Sequence, residues 1–238
     1  MKEYIRSFRT LVAYSTVKDW VILLAVCFVI FAAGTASLVL LEENGIAWAF
    51  MSGLAPMMSI LIPISSITLL QNIFNCNNQM SPGYKYFHSI SDSAAKFRRA
   101  IMVGNVIALV TTALNWAIVS IFSQLAVNSG VESFYNGMNI FAPWLALIMI
   151  AVVNFTGFFK SALARLLFIL PACAAGGFIG GFSAGYEDAD PAEYSVNGAV
   201  AAVALAVGAA AAAGGIVFSA LNAEKQWNKE GEKIEKRA

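Results

Sequence analysis

Long apolar stretches alternate along this chain with short polar intervals, and that alternation predicts the architecture. The apolar runs cover about residues 20–41, 48–74, 100–125, 138–159, 162–184 and 196–221. Each is long enough to cross a hydrocarbon core of about 30 Å at about 1.5 Å per helical residue. The expectation is an all-α polytopic membrane protein with six transmembrane helices, forming one domain over residues 1–238. Pro56 and Pro63 lie inside the second run and predict a kink there. Only Lys160 and Ser161 divide the fourth run from the fifth. Ahead of the first run, Tyr4, Ile5, Phe8, Leu11, Val12 and Ser15 fall at helical spacing, with Arg6, Arg9 and Lys18 off that face. This is the pattern of an amphipathic helix lying in the membrane interface. A cleaved leader is disfavoured, because apolar sequence continues through Leu41, past the usual length of such a segment.

Charge orients this scheme. All fifteen Lys and Arg residues fall in the N-terminal stretch, in the interval after the second run, at the junction of the fourth and fifth, or after the sixth. The other three intervals carry Glu42, Glu43, Glu132, Glu187, Asp188, Asp190 and Glu193 and no basic residue. Six spans with both termini cytoplasmic satisfy the positive-inside rule throughout. Composition agrees: 59% of the residues are hydrophobic and 12% charged, too little charge to solvate a globule of this size. Cys27, Cys76 and Cys173 are scattered, which predicts neither a disulfide framework nor a metal site.

No Asp, Glu, Lys, Arg or His lies well inside a run, which disfavours an ion-coupled carrier. Milder polar groups remain. Asn105, Thr112, Asn115 and Ser123 share about one quadrant of a helical wheel. Asn154 and Thr156 lie in the fourth run, and Ser52, Ser59 and Ser66 recur every seven residues in the second. Interhelical hydrogen bonding is the ordinary role of such residues, and a translocation surface built on Asn105, Thr112, Asn115 and Asn154 is the alternative. Gly176, Gly177, Gly180, Gly181 and Gly185 in the fifth run, and the Ala/Gly-rich sixth, predict close helix packing. The partner is either the other of these two runs or a second copy. The charged tail, residues 224–238, reads as a cytoplasmic helical extension, with a solvated tail as the simplest account.

Catalytic signatures are weak. Gly181-Phe182-Ser183-Ala184-Gly185 has the form G-x-S-x-G, but the sole histidine, His88, falls on the opposite membrane face in this topology. The sequence contains neither H-E-x-x-H nor a phosphate-binding G-x-x-x-x-G-K-[ST]. The chain is therefore expected not to be an enzyme, with no catalytic, cofactor-binding or metal-binding residue of its own.

The most informative interval is Asn75–Arg99, NCNNQMSPGYKYFHSISDSAAKFRR, with Lys85, Lys96, Arg98 and Arg99. Ser81-Pro82-Gly83 reads as a turn, Tyr84 to Ile90 as a short aromatic segment, and Ser91-Asp92 as the cap of a helix entering the membrane. That helix would have about 34 residues and span about 51 Å, so its first turns project beyond the membrane. Six spans, an amphipathic leading helix and this 25-residue interval resemble the ABC-2 type transporter permeases. Two features depart from that family. A proline commonly precedes the third span, where this chain has Ile90-Ser91-Asp92, and the interval between the fifth and sixth runs is short for its lipid and drug exporters. Overall size resembles permeases of peptide, bacteriocin-immunity and small drug exporters.

The resemblance implies an exporter subunit in the cytoplasmic membrane of a bacterium. It would move a peptide, drug or lipid-like substrate with ATP and Mg bound on a separate ABC ATPase. A second permease copy, identical or paralogous, would complete the pathway, and no nucleic acid is involved. Tyr84, Lys85, Tyr86, Phe87, His88 and Ile90 would dock into a groove of the ATPase. An aromatic belt at the lipid headgroups is the competing account of those residues. A structural or immunity-type membrane protein and a small secondary carrier are the other functional alternatives.

Overall fold

A computed structural model describes residues 2–12, 14–40, 46–77, 84–128, 138–159 and 198–235. The described residues are all-α, in the order α1 (Lys2–Leu11), α2 (Tyr14–Leu40), α3 (Ile46–Asn75), α4 (Tyr84–Ser89), α5 (Ser93–Asn128), α6 (Met138–Thr156) and α7 (Gly198–Glu235). Helices therefore stand where the first, second, third, fourth and sixth apolar runs were expected. The fifth run, with Gly176, Gly177, Gly180, Gly181 and Gly185, lies outside the described residues, as do both larger acidic intervals.

Two helices are long and apolar enough to cross a membrane, α5 over Ser93–Ile121 and α7 over Ala202–Glu232, and α6 has a shorter apolar stretch, Ala142–Thr156. Neither long helix is a buried core helix. Val106, Val110, Leu114 and Ile121 on α5, and Val203, Val207, Val217 and Leu221 on α7, are exposed. A helix apolar on its outward side as well as its inward one has the pattern of a lipid-facing segment.

The core is built where α3, α5, α6 and α7 meet. Leu70, Ile73, Phe74, Phe97, Ile101 and Ile150 are fully buried in one cluster with Ala212, Ala223 and Trp227. Phe74 anchors it with edge-on contacts to Phe97 at 6.3 Å and Phe158 at 5.2 Å. Small residues set the closest approach between helices. A Cβ on Gly215 would lie 3.1 Å from the Ala151 backbone, so α7 and α6 meet almost backbone to backbone there. The small-residue face of the sixth run thus packs on α6 and α5 among the described residues.

α1 is amphipathic, as expected, and part of its apolar face is turned into the protein. Ser7, Phe8, Leu11 and Val12 are buried, and Phe8, Leu11 and Val12 join the core cluster. Cys76, just past α3, contacts the Leu11 carbonyl through Sγ at 3.4 Å. α3 is helical through Pro56 and Pro63.

Candidate functional site

α4 is a short helix standing alone between two long ones, and its ends explain its length. The Ser89 hydroxyl donates to the Tyr86 carbonyl at 2.8 Å, and the Ser93 amide donates to Ile90 at 3.2 Å, closing a turn. Asp92 has φ of 55°, in the left-handed region that Asp enters more readily than most residues. Its carbonyl accepts the Lys96 amide at 3.0 Å, which makes Asp92 the residue flanking the first turn of α5. The Lys96 ammonium closes the turn by donating to the Ser91 carbonyl at 2.7 Å. The expected start of this helix is therefore correct. At 36 residues it is about 54 Å long, and it outreaches a bilayer core.

The two sides of α4 differ. Lys85 is exposed, and Tyr86 is 67% exposed with its ring 5.8 Å from that of Phe87. Phe87, His88 and Ile90 are half-buried, and Phe87 packs against the core cluster. His88 stacks on Trp227 of α7 with ring centroids 4.0 Å apart and planes 17° from parallel. Trp227 also contacts Phe97 at 4.5 Å and donates its indole N–H to the Ser93 hydroxyl at 2.9 Å. Burial lowers the pKa of His88, and the nearby Glu230 carboxylate opposes that effect. Of the six residues expected to dock, only Lys85 and Tyr86 have exposed side chains; that of Tyr84 lies outside the description.

Trp227 and Glu230 are the residues that sequence reasoning missed. They lie in the charged tail, yet they are 1% and 3% exposed. The described part of that tail is a continuation of α7, and a solvated tail is not what it forms. Its signal was present: Gly208, Ala212, Gly215, Ser219, Ala223, Trp227 and Glu230 follow one another at spacings of three or four, and all are buried. The stripe passes unbroken from the apolar part of α7 into the charged part. Arg98 and Glu224, 3.2 Å apart on the exposed surface, add a second tie between α5 and α7.

A second constellation lies deeper in the bundle. Asn105 of α5 and Asn154 of α6 exchange amide hydrogen bonds of 3.0 and 2.7 Å. The Ser219 hydroxyl of α7 lies 2.6 Å from the Asn154 carbonyl oxygen. Each amide also donates to the carbonyl four residues back on its own helix, Ile101 or Ile150. Both Nδ2 protons of each Asn are therefore used and both oxygens accept, at 2% exposure for Asn105 and 0% for Asn154. Thr112 and Asn115 are buried on the same helix as Asn105, and the Thr112 hydroxyl donates to the Ala108 carbonyl. Asn105 and Asn154 thus form a clasp joining three helices. Ser219 was not among the expected site residues.

Among the described residues no group of His, Cys, Asp and Glu could hold a metal ion. Compared with protein-family models, curated proteins and solved structures, the chain finds no match.

Proposed function

We propose that this chain is the six-span permease subunit of an ABC-2 type exporter, docking a separate ATPase through α4. The observation that carries this reading is α4 itself. It is a short aromatic helix that exposes Tyr86 outward and is braced from behind by Phe87 and His88, directly before the long α5. An exposed aromatic on a braced helix has the form of an interface anchor. A push on α4 would reach α5 through the Ile90–Asp92 turn and α7 through the His88–Trp227 stack. The partner would hold ATP and Mg, and a second permease copy would complete the pathway.

The test is affinity capture of the tagged protein from detergent-solubilised native membranes. Wild type is expected to recover a P-loop ATPase. Tyr86→Ala is expected to reduce recovery on the order of 30-fold, the effect of losing an anchor of about 2 kcal/mol. Tyr86 is the proper target because Phe87 also supports the fold. Undiminished recovery with Tyr86→Ala would withdraw the docking assignment.

The topology has its own test. The spans other than α5 and α7, and the cytoplasmic placement of both termini, rest on the sorting of basic residues. Single cysteines at Glu43→Cys, Glu132→Cys and Asp190→Cys should be labelled from outside intact cells, and Lys85→Cys should not. Cys173 is replaced by Ala in these variants; the native thiols Cys27 and Cys76 are buried, and burial pushes Cys76 up to about 12, so both should stay silent. Outside labelling at position 85 would overturn the six-span scheme.

One observation favours a second reading, a membrane protein that transports nothing. Asn105 and Asn154 consume each other's hydrogen-bonding capacity and leave little for a substrate. Recovery of no ATPase by the wild-type protein would favour that reading.

A further inference from the structure

α1 holds two faces of different chemistry. Ser7, Phe8, Leu11 and Val12 are buried against the bundle. On the far side of the helix, Lys2, Arg6 and Arg9 line a shallow cleft of about 330 Å³ with Ile5 and Thr10. The spacings of four and three residues put all three cations on one face. The acidic residue of α1, Glu3, is turned away: its carboxylate lies 3.4 Å from the Arg99 guanidinium of α5. Among the described residues, Lys2, Arg6 and Arg9 pair with no carboxylate.

We propose that this face of α1 is a binding site for the phosphodiester headgroup of an anionic phospholipid. Three arguments select that occupant. First, charge: three cations within one cleft call for an anion, and guanidinium groups match the oxygens of a phosphate. Second, level: α1 is followed directly by α2, whose exposed Lys18 and half-buried Trp20 precede the apolar part of the helix. Basic and Trp residues in that order mark the headgroup zone, which places α1 at the same depth. Third, the flank: Ile5 lines the cleft with the cations and is 46% exposed, offering apolar surface to the glycerol and upper acyl chain. A soluble anion would use the cations and leave that surface wet. The helix is thus held to the protein by its apolar face and meets the lipid with its basic face. An amphipathic helix simply floating in the interface would have these roles exchanged.

The site does not depend on any ATPase, and its test contains none. The full chain is purified in detergent and exchanged into nanodiscs of phosphatidylcholine with or without phosphatidylglycerol. Retained lipid is counted by native mass spectrometry and thermal unfolding is followed in parallel. One cation near an anionic surface contributes about fivefold in binding, so three give a preference for phosphatidylglycerol on the order of 100-fold. The variant Lys2→Gln/Arg6→Gln/Arg9→Gln should lose that preference while unfolding as wild type does in phosphatidylcholine alone. Lys2→Arg/Arg6→Lys/Arg9→Lys should retain most of it, which separates charge from damage to the fold. Retained preference in the glutamine variant would overturn the proposal. So would equal protection of the detergent-solubilised protein by inorganic phosphate, which would make the ligand a soluble anion.

Discussion

Trp227→Ala is expected to destabilise the protein by about 3–5 kcal/mol, the range for removing a fully buried aromatic side chain. Trp227 is 1% exposed and touches three things at once: the His88 ring, the Phe97 ring and the Ser93 hydroxyl. Its loss would open a cavity between α4, α5 and α7 and leave His88 without its stacking partner. Trp227→Phe keeps most of the packing and loses the indole hydrogen bond, so it should cost about 1 kcal/mol. Truncation after Glu224 should resemble Trp227→Ala, because it removes the same side chain. Unfolding of the purified variants in mixed detergent micelles provides the measurement. If truncation leaves the midpoint unchanged, the tail is a solvated appendage and the packed end of α7 contributes nothing. ATPase capture adds a second readout: Trp227→Ala should weaken it although Tyr86 is intact, because α4 has lost its brace.

Asn154→Leu should cost about 3 kcal/mol. Interhelical hydrogen bonds inside membranes average only about 0.6 kcal/mol each, so the lost bonds alone do not give this figure. The larger part comes from what is left behind. The Asn105 amide loses both its partner oxygen and its partner donor, and a buried polar group left unsatisfied costs about 1–3 kcal/mol. The Ser219 hydroxyl retains the Ile216 carbonyl at 3.0 Å, so it adds less. The double variant Asn105→Leu/Asn154→Leu should recover part of that loss, with a coupling energy of about 1 kcal/mol or more. A coupling near zero would mean that the two amides do not act as a clasp. Transport assays on the double variant would separate the two roles weighed for these residues. A clasp changes stability first, whereas a translocation surface changes transport in a protein of unaltered stability.

Helix positions were legible because bilayer-length apolar runs are long and periodicity is averaged over many residues. The starts of α3, α6 and α7 fall close to expectation for that reason. The start of α5 was legible locally as well, since Ser91-Asp92 is turn and cap chemistry that needs no tertiary partner. The division of Tyr84–Ile90 into an exposed and a packed side was not legible. Seven residues are too few for a periodic pattern, and which ring turns inward depends on α5 and on α7, which is distant in sequence. α7 shows the same limit from the other direction. Its buried stripe runs on to Glu230, but the charged residues between Trp227 and the end dominate any composition-based reading.

The sequence by itself determined the all-α class, the placement of the helices and the sorting of basic residues, because each depends on local hydrophobicity and charge. It also determined that α1 has two faces. Only the tertiary structure decided what those faces meet. It placed Phe8 and Leu11 in the protein core and left Lys2, Arg6 and Arg9 outward. It joined Asn105 to Asn154 across 49 residues of chain and His88 to Trp227 across a longer separation still. The physical reason is that an amide or an aromatic ring in an apolar helix specifies only that it needs a partner. Which partner it finds is set by helix packing, and small residues such as Gly215, where α7 approaches the α6 backbone, set that packing.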